Sequence, residues 1–248
     1  MASTHDRHRR ARLMAAVFRT VETPADAERA SALFDEIWRA ETVLPAEIIR
    51  AIAFAGGYAV LAHDEGRAVA GSVAFVGMVD GQPVLHSHIA GVVQDARDTG
   101  VGFALKHHQR EWAASRGIAT IRWSFDPLVR RNAWFNLARL GAAVVSYQTD
   151  FYGDMHDGVN RGDPSDRLLV AWPTAPGSLV TGPVDPRPGD ETVALPDDII
   201  EIRATDAAAA RRWRLEVRER VGDALERGAV VRGVDAKGAY VVSPPSGS

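Results

Sequence analysis

Residues 91–102 read Gly91-Val92-Val93-Gln94-Asp95-Ala96-Arg97-Asp98-Thr99-Gly100-Val101-Gly102. The apolar run before them, Val84 to Val93, has the character of a strand. A helical pattern follows from about Gly102 to Arg116 and is stopped by Gly117. Arg-x-x-Gly-x-Gly therefore stands at a strand-to-helix junction. Glycines there let a ligand approach the backbone closely, and the N–H groups of a helix start point outward. The helix dipole adds roughly half a positive charge, and Arg97 adds a full one. A pyrophosphate is the natural occupant. A Rossmann loop would need Gly-x-Gly-x-x-Gly early in a βαβ unit with an acid about 20 residues on, whereas this loop follows an antiparallel meander. The Gly-Lys-Ser/Thr of a Walker A loop is absent.

Working outward, three strand-like runs lead into the loop: Tyr58 to His63, Ala68 to Val79 and Val84 to Val93. The turns Asp64-Glu65-Gly66 and Asp80-Gly81-Gln82-Pro83 predict hairpins between them. Upstream, Ala16 to Val21 reads as a first strand. Thr23-Pro24 opens a helix running to about Ala40, and Pro45 opens a second that ends at Gly56-Gly57. Downstream, Ile118 to Phe125 is a strand, Arg131 to Leu140 a helix, and Ala142 to Phe151 and Leu168 to Trp172 two more strands. Six of the 13 prolines crowd into residues 173–196, which predicts a linker rather than a regular element. Beyond it, Ile199 to Ile202 reads as a strand. Thr205-Asp206 starts a helix with Trp213, Val217, Val221 and Ala224 on one face and arginines opposite, and a hairpin closes around Asp235–Gly238.

The predicted fold class is α/β (α+β in layer terms), a mixed, mostly antiparallel central sheet flanked by helices, with a small C-terminal β-α-β-β extension. The predicted division is a flexible basic N-terminus at 1–15, a main domain at 16–172, a Pro/Gly-rich linker at 173–197 and a C-terminal α/β subdomain at 198–248.

Composition narrows the function. With 46% hydrophobic and 25% charged residues, the chain has ample apolar surface for a core, so disorder as the main state is excluded. The absence of cysteine removes disulfides, Cys-ligated metal sites and thiol nucleophiles. A net charge of −3 gives no global reason to expect a nucleic-acid partner. No stretch approaches the roughly 18 consecutive apolar residues of a spanning helix, and no export signal is legible, so cytoplasmic is the simplest localisation.

Element order and loop together resemble the GNAT acyltransferase superfamily, the acyl-CoA-dependent N-acetyltransferases. Arg97-x-x-Gly100-x-Gly102 matches that family's Gln/Arg-x-x-Gly-x-Gly/Ala loop, and Asn132-Ala133-Trp134-Phe135-Asn136-Leu137-Ala138-Arg139-Leu140-Gly141 resembles the helix that ends its core. The resemblance covers about residues 16–172. Trp123 through Asn132, Tyr152-Gly153 and Asp166-Arg167 further resemble a subgroup of predicted acetyltransferases. The resemblance implies a GNAT-like fold and acetyl-CoA, or another acyl-CoA, as co-substrate, with no metal. It implies that pantetheine pairs with the backbone of Val92 and Val93, and that the N–H groups of Arg97, Asp98, Thr99, Gly100, Val101 and Gly102 cradle the pyrophosphate. Asn132 would contact the pantetheine arm or bound thioester, with Phe135 among the cofactor-binding residues. Many members place a tyrosine four residues before the helix-ending glycine to protonate the leaving thiolate; here that position is Leu137. Tyr147 and Tyr152 stand in only if the chain folds back.

Amine acyl transfer needs a base tuned near neutral pH. His86 and His88 have period-two spacing on one strand and point to one face. Their readings are structural sheet histidines, a general base in one of them, or metal ligation, for which no third ligand has diagnostic spacing. Asp126, at the end of its strand, binds a substrate amine, assists the base, or caps the turn after it. Lys106 to Arg110 read as a solvated helix face. Asp150, Asp154, Asp157, Asp163 and Asp166 read as a hydrophilic loop or a rim for a cationic substrate.

The leading expectation is transfer of acetyl from acetyl-CoA to a primary amine of a small molecule, by direct attack in a ternary complex. No Cys and no Gly-x-Ser-x-Gly elbow offers a covalent route. The alternatives are a CoA-ester enzyme of another type, such as a decarboxylase or thioesterase, and a non-catalytic CoA-binding module whose extension serves a homodimer. Partners other than the amine, nucleic acid and membrane included, are not expected.

Overall fold

The computed structural model describes residues 16–155, 163–175, 177 and 179–245. The expected basic N-terminus and Asp157 lie outside the described residues. The chain divides into two compact units, Met1–Ile121 and Arg122–Ser248, whereas composition placed its boundaries at 172 and 197.

The first unit begins with β1 (Val17–Thr20), α1 (Pro24–Trp38) and α2 (Ala46–Phe54). It continues with β2 (Tyr58–Asp64), β3 (Arg67–Val79), β4 (Gln82–Val92), a 3₁₀ turn (Gln94–Ala96) and α3 (Val101–Ala114). Its sheet runs β1-β2-β3-β4, with every neighbouring pair antiparallel. Both predicted hairpins form. Their tips are Glu65-Gly66 and Asp80-Gly81, all four residues at positive φ, the backbone that matches the twist of two-residue hairpins. α1 starts where Thr23 and Asp26 form a reciprocal capping box, Asp26 N donating to Thr23 Oγ1 at 3.2 Å and Thr23 N to Asp26 Oδ2 at 2.9 Å. It buries Ala27, Ala30, Leu33 and Phe34.

α3 departs from the solvated face expected of Lys106 to Arg110. Lys106 and Gln109 are buried. Lys106 Nζ donates to Gln109 Oε1 at 2.6 Å and Ser87 Oγ at 3.2 Å, and Gln109 Nε2 donates to Ser72 Oγ at 3.1 Å. His108 bonds the Tyr58 hydroxyl at 2.9 Å and stacks on Phe18. Desolvation pushes the Lys106 ammonium down to about 7. The unfolded lysine binds its proton up to about pH 10.5, so from about 7 to 10.5 the unfolded state holds the extra proton and stability rises with pH. Lys106→Met should therefore stabilise the protein at pH 6.5 by ~1–3 kcal/mol, after losses at Ser87 and Gln109, with the gain vanishing toward pH 10. Urea unfolding of both proteins at the two pH values checks this; equal differences at both would contradict it.

β5 (Thr120–Phe125) runs across the unit boundary. The second unit then has α4 (Arg130–Ala133), continued by a π-helical turn over Trp134–Arg139, β6 (Ala143–Gln148) and β7 (Arg167–Pro173). β8 (Glu191–Val193), α5 (Ile199–Thr205) and α6 (Ala207–Val217) come next. A second π-helical turn (Arg218–Asp223), α7 (Ala224–Glu226), β9 (Val230–Val234) and β10 (Tyr240–Ser243) complete it. Strands β5, β7 and β6 lie in that order, with β6 and β7 antiparallel, and a separate three-stranded sheet runs β8-β10-β9. The fold class is thus the expected α/β: β1 to β7 supply a mostly antiparallel seven-stranded sheet, flanked by helices. Trp123 of β5 packs edge-on to Trp172 of β7 at 6.0 Å, and each indole N–H finds an acceptor, Asn136 Oδ1 at 3.2 Å and the Leu140 carbonyl at 2.7 Å.

Two local readings are corrected. Ile199 to Ile202 is helical, because Asp198 caps it, accepting from the Ile200 and Glu201 amides at 2.9 and 3.1 Å. The proline-rich stretch contains β8, which pairs with β10, so the C-terminal order is β-α-α-β-β. α6 also buries Arg214, which the sequence placed on the solvated face, at 1% exposure.

Candidate active site

In the first unit the glycine loop is built as the sequence implies. Arg97 is extended, Asp98 is left-handed at φ 60°, and Gly100 caps α3 at φ 97°, a conformation closed to most side chains. A Cβ on Gly102 would stand 3.1 Å from Val92 Cγ2, so the first turn of α3 lies tight against the end of β4. Gly100 brings no side chain to cap that turn, and the first N–H groups of a helix have no intrahelical acceptor. Thr99 is buried and donates to the Ala96 carbonyl at 2.6 Å, which fixes the loop from within. Arg97 Nε reaches the Val92 carbonyl at 3.4 Å. The Val93 amide already donates to Val69 at 3.0 Å, so that N–H is held by the sheet.

β4 also carries the histidines. The register slips between Val73 and Ala74: Val73 faces Ile89 and Ala74 faces Ser87, which leaves His88 as the extra residue of a bulge. Bulges bend a strand and re-aim side chains. His86 is half-buried and His88 more open, and both rings lie by Phe75, at centroid distances of 5.0 and 6.1 Å. Desolvation lowers both pKa values, and His88 lowers that of His86 further. Both imidazoles are therefore neutral and able to accept a proton at pH 7. Among the described residues no group of three or more His, Asp or Glu is arranged to hold a metal ion.

In the second unit, Asp126 is not available to a substrate. It is buried in an ion-pair cluster with Asp163, Arg203 and Arg214. Arg214 Nη1 and Nη2 donate to its two oxygens at 3.0 and 3.2 Å, Arg203 Nη2 also donates to it, and the Leu128 amide donates at 3.0 Å. Burial would raise its pKa, but the two guanidinium charges and these bonds hold it down to about 2. The turn-capping reading is the one the geometry supports.

Three acids of the 150–166 stretch are also consumed internally, while Asp154 is exposed. Asp150 accepts from the Ser165 amide and hydroxyl at 3.1 and 3.2 Å, and Asp163 takes Arg214 at 2.6 Å. Asp166 accepts from Tyr147 at 2.6 Å and from Arg218 at 2.8 Å. These carboxylates do not form the expected cationic-substrate rim. Burial and the Asp166 bond push the Tyr147 hydroxyl far up, which removes it as a proton donor to a thiolate. Leu137, at the family's tyrosine position, is buried. Tyr152 keeps an exposed ring with its hydroxyl 3.4 Å from Ser124 Oγ. Asn132 and Phe135 are half-buried on the α4 segment. On β5, Trp123 turns to the core, and Ser124 and Arg122 lie on the opposite face. Arg122 is not among the sequence candidates, although the β5 alternation carries a signal for it, and Arg167 enters from sequence only through the subgroup resemblance.

A scan of family models finds no match for this sequence, and a comparison with curated proteins finds none either. Solved structures do match. An aminoglycoside 6'-acetyltransferase type Ii is 20% identical, with 64% of this chain and 98% of that one aligned at a TM-score of 0.52. Arabidopsis thaliana Naa50, solved with the bisubstrate analogue CoA-Ac-MVNAL, is 15% identical over 63% and 97% at 0.52. A GNAT-family acetyltransferase from Streptococcus pneumoniae is 14% identical over 64% and 98% at 0.51. The strand order, the glycine loop between β4 and α3 and these alignments together give the chain the fold of the GNAT acetyltransferases.

Proposed function

We propose that the protein is an acyl-CoA-dependent acyltransferase that moves acetyl from acetyl-CoA to a primary amine of a small molecule. The observation that carries this reading is the loop at 97–102. A left-handed Gly100, a Gly102 whose Cβ would stand 3.1 Å from Val92 Cγ2 and a helix start with no side-chain cap support an anion cradle there. The backbone N–H groups of Arg97 to Gly102 would bind the pyrophosphate, with Arg97 adding charge. Val92 would offer backbone to the pantetheine, and Asn132 and Phe135 stay the further candidates that the family resemblance supplies. The fold's occurrence in acetyltransferases supports the reading.

The chemistry is direct transfer. The ammonium of the acceptor gives a proton to His86, and the free amine attacks the thioester carbonyl carbon. The C–S bond breaks, the nitrogen releases its second proton to solvent as the amide forms, and CoA leaves as the thiolate. A thiol of pKa near 8–9 departs without a strong acid, and Tyr152 is the candidate donor of the proton it takes up. His86→Gln should lower kcat/KM about 100-fold near pH 7. Because burial holds the His86 pKa below its ordinary value, the wild-type acid limb should fall below pH 6.5. Thiol release from acetyl-CoA across an amine library measures both. An unchanged rate in His86→Gln, with His88→Gln carrying the loss instead, would reassign the base.

Burial of Leu137 supports a second reading, a CoA-ester enzyme of another reaction type that needs no thiolate acid. Catalytic release of CoA without any amine would favour it.

A further inference from the structure

On one face of β5 the second unit presents a cation that has no counter-ion among the described residues. Arg122 is half-buried, and its Nε is fully buried with no acceptor among them. A buried donor left without an acceptor costs about 1–3 kcal/mol, so such a group calls for a ligand. Ser124 lies two residues along the same face, roughly 7 Å away by strand geometry, and its hydroxyl is 3.4 Å from that of Tyr152. Behind the Tyr152 ring stands a second guanidinium. Arg167 is 6% exposed, and its Cζ is 5.3 Å from the ring centroid. Among the described residues it donates to weak acceptors, the Asp166 carbonyl and Met155 Sδ, each at 2.9 Å. Four of the nearby acids are committed elsewhere, and Asp154 stands exposed to solvent. Asp126 and Asp163 serve Arg203 and Arg214, Asp166 serves Arg218 and Tyr147, and Asp150 serves Ser165. What the sequence suggests as a negative rim is instead a positive face with two hydroxyls.

We infer that the acceptor of this enzyme carries a carboxylate as well as its amine, and that Arg122 binds that carboxylate with the hydroxyl of Ser124, while the Tyr152 hydroxyl stays with the leaving thiolate. The planar fork of arginine matches a carboxylate's two oxygens, and Arg167 raises the positive potential from behind without touching the ligand. The acceptor class is therefore amino-acid-like. This inference rests on the acyl-transfer reading, and its test separates the two.

The test uses matched acceptor pairs, free amino acids against their carboxamides, with CoA release as the readout and acetyl-CoA titration calorimetry run in parallel. The wild type should favour the carboxylate member by about 10- to 100-fold in kcat/KM, chiefly through KM. Arg122→Gln should collapse that ratio toward one by raising KM for the carboxylate member, and Arg122→Lys should restore only part of it. Acetyl-CoA affinity in these variants serves as the folding control. A wild type that binds acetyl-CoA yet shows no preference for carboxylate acceptors, or transfers to neither member of any pair, overturns the inference. A wild type that does not bind acetyl-CoA overturns the transferase reading itself.

Discussion

Replacing Gly100 and Gly102 together by valine is expected to raise the Kd for acetyl-CoA by more than about 100-fold, with the fold retained. At φ 97° a β-branched residue is a steric outlier, so the Gly100→Val change would pull the chain out of the left-handed region and reorient the amides that follow. At position 102 even a methyl group would meet Val92 Cγ2 at 3.1 Å, and valine's branches would lift the first turn of α3 off β4. Each charge-assisted N–H bond to a phosphate is worth about 1.5–3 kcal/mol, so losing two exceeds a hundredfold. Gly102→Ala alone, which asks for a shift of a few tenths of an ångström, should weaken binding far less. Calorimetry gives the Kd values, and a thermal melt confirms the folded state. Unchanged affinity in the double variant would remove the loop from the binding site.

The second large effect concerns stability. Arg214→Ala should destabilise the protein by ~3–5 kcal/mol, because it strips a buried partner from two carboxylates, Asp126 and Asp163. For a chain of this size that corresponds to a melting temperature lower by about 10 °C or more. The pH dependence carries a sign. The folded pKa of Asp126, about 2, lies below its ordinary 3.8. Its contribution is therefore present above pH 3.8 and is lost as the pH falls toward 2. In Arg214→Ala the carboxylate loses its main cation, so acid unfolding should begin at higher pH. Urea titrations of both proteins between pH 3 and 7 measure this. A variant within 1 kcal/mol of wild type at pH 7 would mean that the cluster is replaceable.

What the sequence reveals follows the range of the interactions involved. Gly100, Gly102, the Thr23 cap and the Glu65-Gly66 and Asp80-Gly81 turns act within a few residues, so a strand–loop–helix site and a meander could be read directly. Ile199 to Ile202 misleads because four apolar residues suit either period, and the deciding residue is the cap before them, Asp198. β8 hides among prolines because its partner, β10, lies some fifty residues on. The charged groups are the hardest to read. Asp126 looks like a site residue at a strand end, and only folding brings Arg203 and Arg214 onto it from 77 and 88 residues away. The same long-range pairing takes up Asp163 and Asp166 and leaves Arg122 on β5 as the cation to account for. Lys106 shows the converse, a charged residue in a polar run that the packing of α3 takes into the core.

In the proposed function, residues 97–102 hold the acyl-CoA pyrophosphate. Calorimetric titration of the protein with acetyl-CoA and with desulfo-CoA should show saturable one-to-one binding of both, lost in the Gly100→Val, Gly102→Val double variant. No binding at millimolar ligand would contradict that role.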